Sequence, residues 1–373
     1  MEFVKPFGAL TNNLCYTAAM KNFLLLLFAG ISPLLLNAQY IGGRTVFTFL
    51  NLPGSARLTA LGGRLISVVD DDINLASANP GVLNPMMHGQ LGFSHSFLPG
   101  NIQHGYFAYG HHFDKLGATF HLGVQYVDYG EIAATNIYFQ EEGTFEVKES
   151  ALALGAAIPI DARLRIGTNI KWITSSLANL QSTGLAADLG LIYQDTAKNF
   201  SIGLNVCHLG SQLSTYSGIS ELREPLPFEM QLGISKKLRY LPFRFSAVYR
   251  NLNRWNILYD DPNQENGTLL DGEMPDGPSR LTQQLDNFFR HLVFSGELLL
   301  GARENFRLRV AYDHRIRKEL SVQGFGSSAG FSFGAGIKIN RFRLDYGRSN
   351  FHLAGGVNHL SISTNLKEFK SKK

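Results

Sequence analysis

Gly326-Ser327-Ser328-Ala329-Gly330 has the G-x-S-x-G spacing of a hydrolase nucleophile elbow, and Asp345 and His352 follow it in the order of a Ser-Asp-His set. An elbow needs a strand before it and a helix after it, because that sharp turn exposes the serine hydroxyl. Here a loop-like stretch precedes and an alternating, strand-like stretch follows, so the string lacks its setting. No H-E-x-x-H, C-x-x-C, Walker or S-x-x-K motif is present. Asp70-Asp71-Asp72 offers three carboxylates, but they are adjacent rather than alternating as in an EF-hand loop. Helix capping by Asp72 within a solvated loop fits them better. His88, His95, His104, His111, His112 and His121 are loosely spread and show no metal-ligand spacing. The two cysteines, Cys15 and Cys207, give no disulfide framework, and Cys207 reads as a small packed residue. The reading is a non-enzyme with no cofactor and no metal.

The elements around these residues alternate with period two. Phe306, Leu308, Val310 and Tyr312 share one face of a segment whose other face carries Arg307, Arg309, Ala311 and Asp313. Phe331, Phe333, Ala335, Ile337 and Ile339 alternate with Ser332, Gly334, Gly336 and Lys338; after Asn340 the pattern resumes as Phe342, Leu344 and Tyr346 against Arg343 and Asp345. Period two makes these strands with unlike solvents on their two sides. In a soluble sandwich the apolar face is the core. In an outer-membrane barrel the apolar face meets lipid and the polar face lines a lumen.

Bulk composition narrows the choice. The 373 residues are 45% hydrophobic and 12% aromatic, with 27 Phe, 14 Tyr and 38 Gly. Beyond the amino-terminal region no apolar run reaches the ~18 residues of a spanning helix, which disfavours a helical membrane protein. The net charge of +4 comes from Lys and Arg scattered through strands and turns, which argues against nucleic-acid binding.

Lys21, the apolar run 23–28 with 34–36, and Ala38 before Gln39 read as a secretory signal peptide over 20–38, which makes 1–19 an upstream extension or a misassigned start. Over 39–90 the alternation is absent, and this stretch is expected to be a helical or irregular plug, with Asp72 capping a short helix that ends near Asn79-Pro80. From 91 to 373 the chain reads as a barrel. Clear strands are expected at 118–126, 151–158, 164–172, 185–193, 200–207, 228–235, 243–250, 306–313, 331–339 and 342–346; weaker ones at 91–97, 103–110, 292–300 and 357–366. That makes about fourteen, an even number as bacterial barrels require. Short connections near Asp114, Asp161, Thr196, Tyr240, Arg303 and Asn340 alternate with long ones at 130–149, 210–227, 251–287 and 315–330. A Greek-key sandwich would break that alternation. The fold expected is therefore an all-β, antiparallel transmembrane β-barrel in the outer membrane, in contact with its lipid.

Strand parity then points Arg165, Lys171, Asp188, Glu229, Arg307, Arg309 and Lys338 into the lumen, with Asn169 and Gln231. With the amino terminus periplasmic, the 251–287 connection is extracellular, and Asp260, Asp261, Glu265, Asp271, Glu273 and Asp276 make it acidic, either a solvated loop or a partner surface. A barrel of this size encloses more space than its own side chains fill, which assigns the amino-terminal segment to the lumen. On parity alone, Leu308→Arg is expected to be damaging and Arg309→Leu milder.

Several peptides carry a resemblance. Phe49-Leu50-Asn51-Leu52-Pro53, Ser55-Ala56-Arg57, Ala60-Leu61-Gly62-Gly63, Asn79-Pro80, Gly210-Ser211-Gln212, Pro242-Phe243-Arg244, Asn251-Leu252-Asn253-Arg254-Trp255, Arg290-His291-Leu292-Val293-Phe294 and Arg315-Ile316-Arg317-Lys318-Glu319-Leu320 together resemble the PorQ family of the Bacteroidetes type IX secretion system. These motifs occur in order through nearly the whole chain after the signal region; the sequence departs at His208, where the family pattern has Asn. The resemblance implies a barrel similar to PorV and FadL-type proteins, acting with PorU, PorV and a PorZ-like partner to attach secreted cargo at the cell surface. It implies that transfer chemistry belongs to PorU and that this chain anchors the PorZ-like partner. A FadL-like transporter of hydrophobic solutes is the alternative, and a passive porin stands third because the expected plug obstructs it.

Overall fold

A computed structural model describes residues 45–258, 280–301, 304–320, 328–352 and 355–369. The expected signal peptide and upstream extension lie outside these residues, as do the six acidic residues from Asp260 to Asp276.

Fourteen strands form one closed antiparallel barrel in which each strand pairs with its sequence neighbour and the last closes on the first. They are β1 (Gln90–Phe97), β2 (Gln103–Phe113), β3 (Ala118–Thr135), β4 (Glu141–Pro159), β5 (Leu164–Leu177), β6 (Leu180–Asp195), β7 (Phe200–Ser214), β8 (Glu229–Lys237), β9 (Phe243–Tyr249), β10 (Leu292–Leu300), β11 (Phe306–Asp313), β12 (Phe331–Ile339), β13 (Phe342–His352) and β14 (Gly355–Asn365). Closure removes sheet edges, so every strand finds its hydrogen-bond partners within the wall. β1 begins at Gln90, which pairs with Asn365, so the plug ends one residue earlier than expected.

At one end of the barrel the described turns, near Asp114, Asp161, Thr196, Tyr240 and Asn340, are short as expected; Arg303 lies outside the described residues. The other end differs from the sequence reading. The stretch 130–149 is mostly strand, because β3 and β4 run on as a long hairpin closed by residues 136–140. β7 likewise continues to Ser214, and β5 turns into β6 through only two residues. Glu131, Thr135, Glu141 and Glu146 alternate with few apolar residues, so periodicity could not show that this hairpin continues beyond the lipid belt.

The faces follow the alternation. On β11, Leu308 is 41% and Val310 53% exposed, whereas Arg307 and Arg309 are 4% and 3% exposed. The same division runs round the wall, with Phe107, Leu152, Trp172, Leu189, Ile234, Phe294, Phe333, Leu344 and Leu360 facing outward. Inside stands the segment 45–89. Its Leu58, Leu61, Leu65, Ile73, Leu75, Val82, Leu83 and Met87 form a buried cluster with Tyr106, Ala108, Ala157 and Ile192 of the wall. Phe47, Phe49 and Leu50 form a second one with Val127, Ala151, Ile173 and Ala186. The inner wall is thus apolar where the plug's apolar side chains meet it, at roughly 1.5–3 kcal/mol of burial per large side chain.

Candidate functional site

The lumen is built around helix α1 (Ala56–Ala60). Ser55 caps it, accepting from the Leu58 amide at 3.3 Å. The helix lies against β12 to β14, where Gly334 and Gly347 leave room; a Cβ on Gly347 would overlap the Ala56 carbonyl oxygen. The Ala56 amide, unpartnered within so short a helix, donates to Ser361 Oγ at 2.7 Å, and Thr59 Oγ1 lies 2.8 Å from His359 Nδ1.

This placement carries Arg57 into the middle of a charge network. Its guanidinium, 1% exposed, contacts Asp70 at 2.7 Å, Asp72 at 3.2 Å and Glu297 of β10 at 3.0 Å. Arg244 of β9 binds Glu297 at 3.0 Å and Asp70 at 3.3 Å. Arg309 binds Glu297 at 3.1 Å and Asp345 of β13 at 2.6 Å, while Arg343 reaches Asp71 at 3.2 Å. Plug and wall therefore neutralise each other, which matters because a buried charge without a partner costs several kcal/mol. The three aspartates are accordingly ion-pair partners and not a solvated loop. Asp72 also caps a 3-10 helix, Ile73–Ser77, through the Asn74 amide at 3.1 Å. Burial alone raises the Asp70 carboxyl, but Arg57, followed by Arg244, outweighs it and holds Asp70 well below the usual range. Burial prevails at Asp72, whose carboxyl is raised despite Arg57.

Two smaller groups use Lys171, Asp188 and Glu229, and Arg165, Arg307 and Lys338 make separate contacts. Lys171 binds Asp188 at 2.7 Å, and Asp188 also accepts from the His208 amide at 3.0 Å. His208 has φ 57° at a bulge in β7, so Cys207 and His208 both point inward and Leu209 turns outward. Glu229 binds Arg250 at 3.0 Å and Arg64 of the plug at 3.5 Å. Arg165 donates to the Leu83 carbonyl at 3.4 Å, and Arg307 lies beside Glu304 at 3.5 Å. Lys338 sits at the short-turn rim, 2.9 Å from Glu368. Asp345 of the hydrolase-like string is engaged by Arg309, and the His352 side chain lies outside the described residues.

Parity reasoning missed Arg57, Arg244 and Glu297. Glu297 left a signal, as the one acid in the otherwise apolar β10 sequence LVFSGELLL. Arg57 left none, because short irregular elements have no period to read.

Cavities flank the plug at both ends of the barrel. One of about 650 Å³ opens at the long-loop end, between Leu52, Arg64, Phe228, Arg250, Ile316 and Phe351. Another, about 230 Å³, lies at the short-turn end between Val68, Val69 and the wall at Ser201, Ser235 and Arg244. Among the described residues no group of three or more His, Cys, Asp or Glu side chains is arranged to hold a metal.

A closed barrel of fourteen antiparallel strands, apolar outward and filled by its own amino-terminal segment, is an outer-membrane β-barrel. Solved structures of similar fold include the CymD monoaromatic hydrocarbon channel (TM-score 0.48, 14% identity, 86% of this chain and 99% of that one). A Pseudomonas aeruginosa FadL homologue (TM-score 0.45, 11% identity, 88% of this chain and 100% of that one) and the KdgM porin (TM-score 0.32, 6% identity, 74% and 99%) are others. No protein-family model matches the sequence, and no curated protein does.

Proposed function

We propose that this barrel is a non-enzymatic component of the type IX secretion system, a scaffold of the cargo attachment complex that anchors a PorZ-like partner alongside PorU and PorV. The observation that supports this reading is the lumen itself. Inner-wall charges that would line a water-filled path, Glu297, Arg309 and Asp345 among them, are taken up by one another and by the plug. The long-loop end offers a partner the β3–β4 hairpin, whose tip exposes Ile137, Tyr138 and Phe139 at 86%, 75% and 90%. Deleting the gene tests the proposal. Secreted cargo should appear unanchored in the medium and the PorZ-like partner should leave the surface, with solute uptake little changed.

A FadL-like transporter of hydrophobic solutes is the second reading, favoured by the partly apolar lining of the larger cavity, with Leu52, Phe228, Ile316 and Phe351 among its walls. Retained cargo with reduced uptake of hydrophobic solutes would select it.

A further inference from the structure

The connection between β9 and β10 contains helix α2 (Arg280–Arg290), which leaves its large apolar side chains exposed. Leu281, Leu285, Phe288 and Phe289, at i, i+4, i+7 and i+8, form one stripe, and they are exposed at 67%, 51%, 41% and 43%. Of its polar side chains, Asp286, Asn287 and Arg290 face protein, while Thr282, Gln283 and Gln284 are exposed. Asn287 donates to the Trp255 carbonyl at 2.6 Å and accepts from the Ile257 amide at 3.1 Å. Asp286 meets Arg290 at 2.8 Å and His314 at 3.2 Å, the latter opening helix α3 (His314–Glu319).

The position of the stripe indicates what covers it. Phe288 lies 5.9 Å from Tyr249, the last residue of β9 and on its outward face. Phe289 lies 6.0 Å from His314, whose Nδ1 is 3.0 Å from the hydroxyl of Tyr312 on the outward face of β11. Tyr312 in turn meets the outward Phe331 of β12 at 5.1 Å. The carboxyl-terminal end of α2 thus stands beside outward-facing Tyr249 of β9 and the Tyr312–His314 pair at the end of β11, at the long-loop end, where its apolar stripe adjoins the lipid-facing belt.

We infer that α2 is an interfacial helix whose Leu281, Leu285, Phe288 and Phe289 insert into the acyl boundary of the lipid leaflet at the long-loop end. An amphipathic helix lying in the interface plane exposes such a stripe without penalty because lipid, not water, receives it. The helix braces the β9–β10 connection on the membrane beside the larger cavity.

Single cysteines test the assignment. With Cys15 and Cys207 replaced by serine, Leu285→Cys and, on the polar side, Gln283→Cys would each be labelled with a small fluorophore and reconstituted into nanodiscs. Acyl-chain-brominated phospholipid should quench the label at 285 strongly and the label at 283 little, with heat-modifiable mobility confirming a closed barrel in both. Equal quenching, or a label at 285 reached by water-soluble iodide and not by bromolipid, would overturn the proposal. Shielding of position 285 only in native outer membranes would also overturn it, by assigning the stripe to a protein partner.

Discussion

Arg57 and Glu297 face each other across the lumen through two parallel hydrogen bonds, Nε to Oε1 and Nη2 to Oε2, both 3.0 Å long. One residue belongs to the plug and the other to the wall, so this fork fixes both the position and the rotation of α1. It also joins the plug to strands distant in sequence, because Glu297 binds Arg244 and Arg309 as well.

Leu308 and Arg309 test the two faces, and the structure changes the ranking expected from parity. Leu308→Arg places a charge in lipid, at about 2–4 kcal/mol near the midplane. Arg309→Leu is no milder, since it strips a fully buried partner from Glu297 and Asp345, and breaking a buried pair costs about 3–5 kcal/mol. Urea unfolding in vesicles should show both variants well below the parent, and a stable Arg309→Leu would contradict the network.

Asp70 and Asp72 should respond oppositely to acid. The folded Asp70 carboxyl is held low, so its stabilisation is complete above the unfolded value of about 4 and is lost as pH falls through its depressed folded value. Asp72 is raised, so it opposes stability at neutral pH and this cost is relieved on acidification. At pH 7, Asp70→Asn should therefore destabilise plug docking more than Asp72→Asn, by about 1–3 kcal/mol. Below pH 4 the Asp70→Asn variant should show a shallower loss of stability than the parent. Equal effects at neutral pH would show that the two carboxylates are equivalent.

Gly347 sets how closely α1 approaches β13. Gly347→Ala should push the helix off the wall at a cost of about 1–3 kcal/mol. Hydrogen exchange should rise over residues 55–61 while the barrel strands stay protected. Unchanged protection there would mean the wall yields instead.

Tyr138 and Lys198 report orientation. With the short turns periplasmic, Tyr138→Cys at the β3–β4 tip should react with an impermeant maleimide on intact cells, and Lys198→Cys only after permeabilisation. The reverse pattern would invert the barrel.

What the sequence determined by itself was the wall. Phe306 to Asp313 alternates because lipid and lumen select opposite side chains at every second residue, and that period survives in any one strand read alone. Repeated, it yielded the fourteen strands and the inward placement of Lys171, Asp188, Glu229 and Arg309. Only the tertiary structure decided which charges meet. Arg57 and Glu297 stand 240 positions apart, and no local period links an irregular plug to the strand it docks against. The same holds for the bulge at His208, which turns Cys207 and His208 inward together, and for α2, most of which falls in a stretch that reads as a loop from the sequence and whose Phe288 stands beside outward Tyr249. Strand faces are set by solvent, which acts residue by residue; plug contacts and interfacial placement are set by closure of the barrel, which exists only once all fourteen strands have paired.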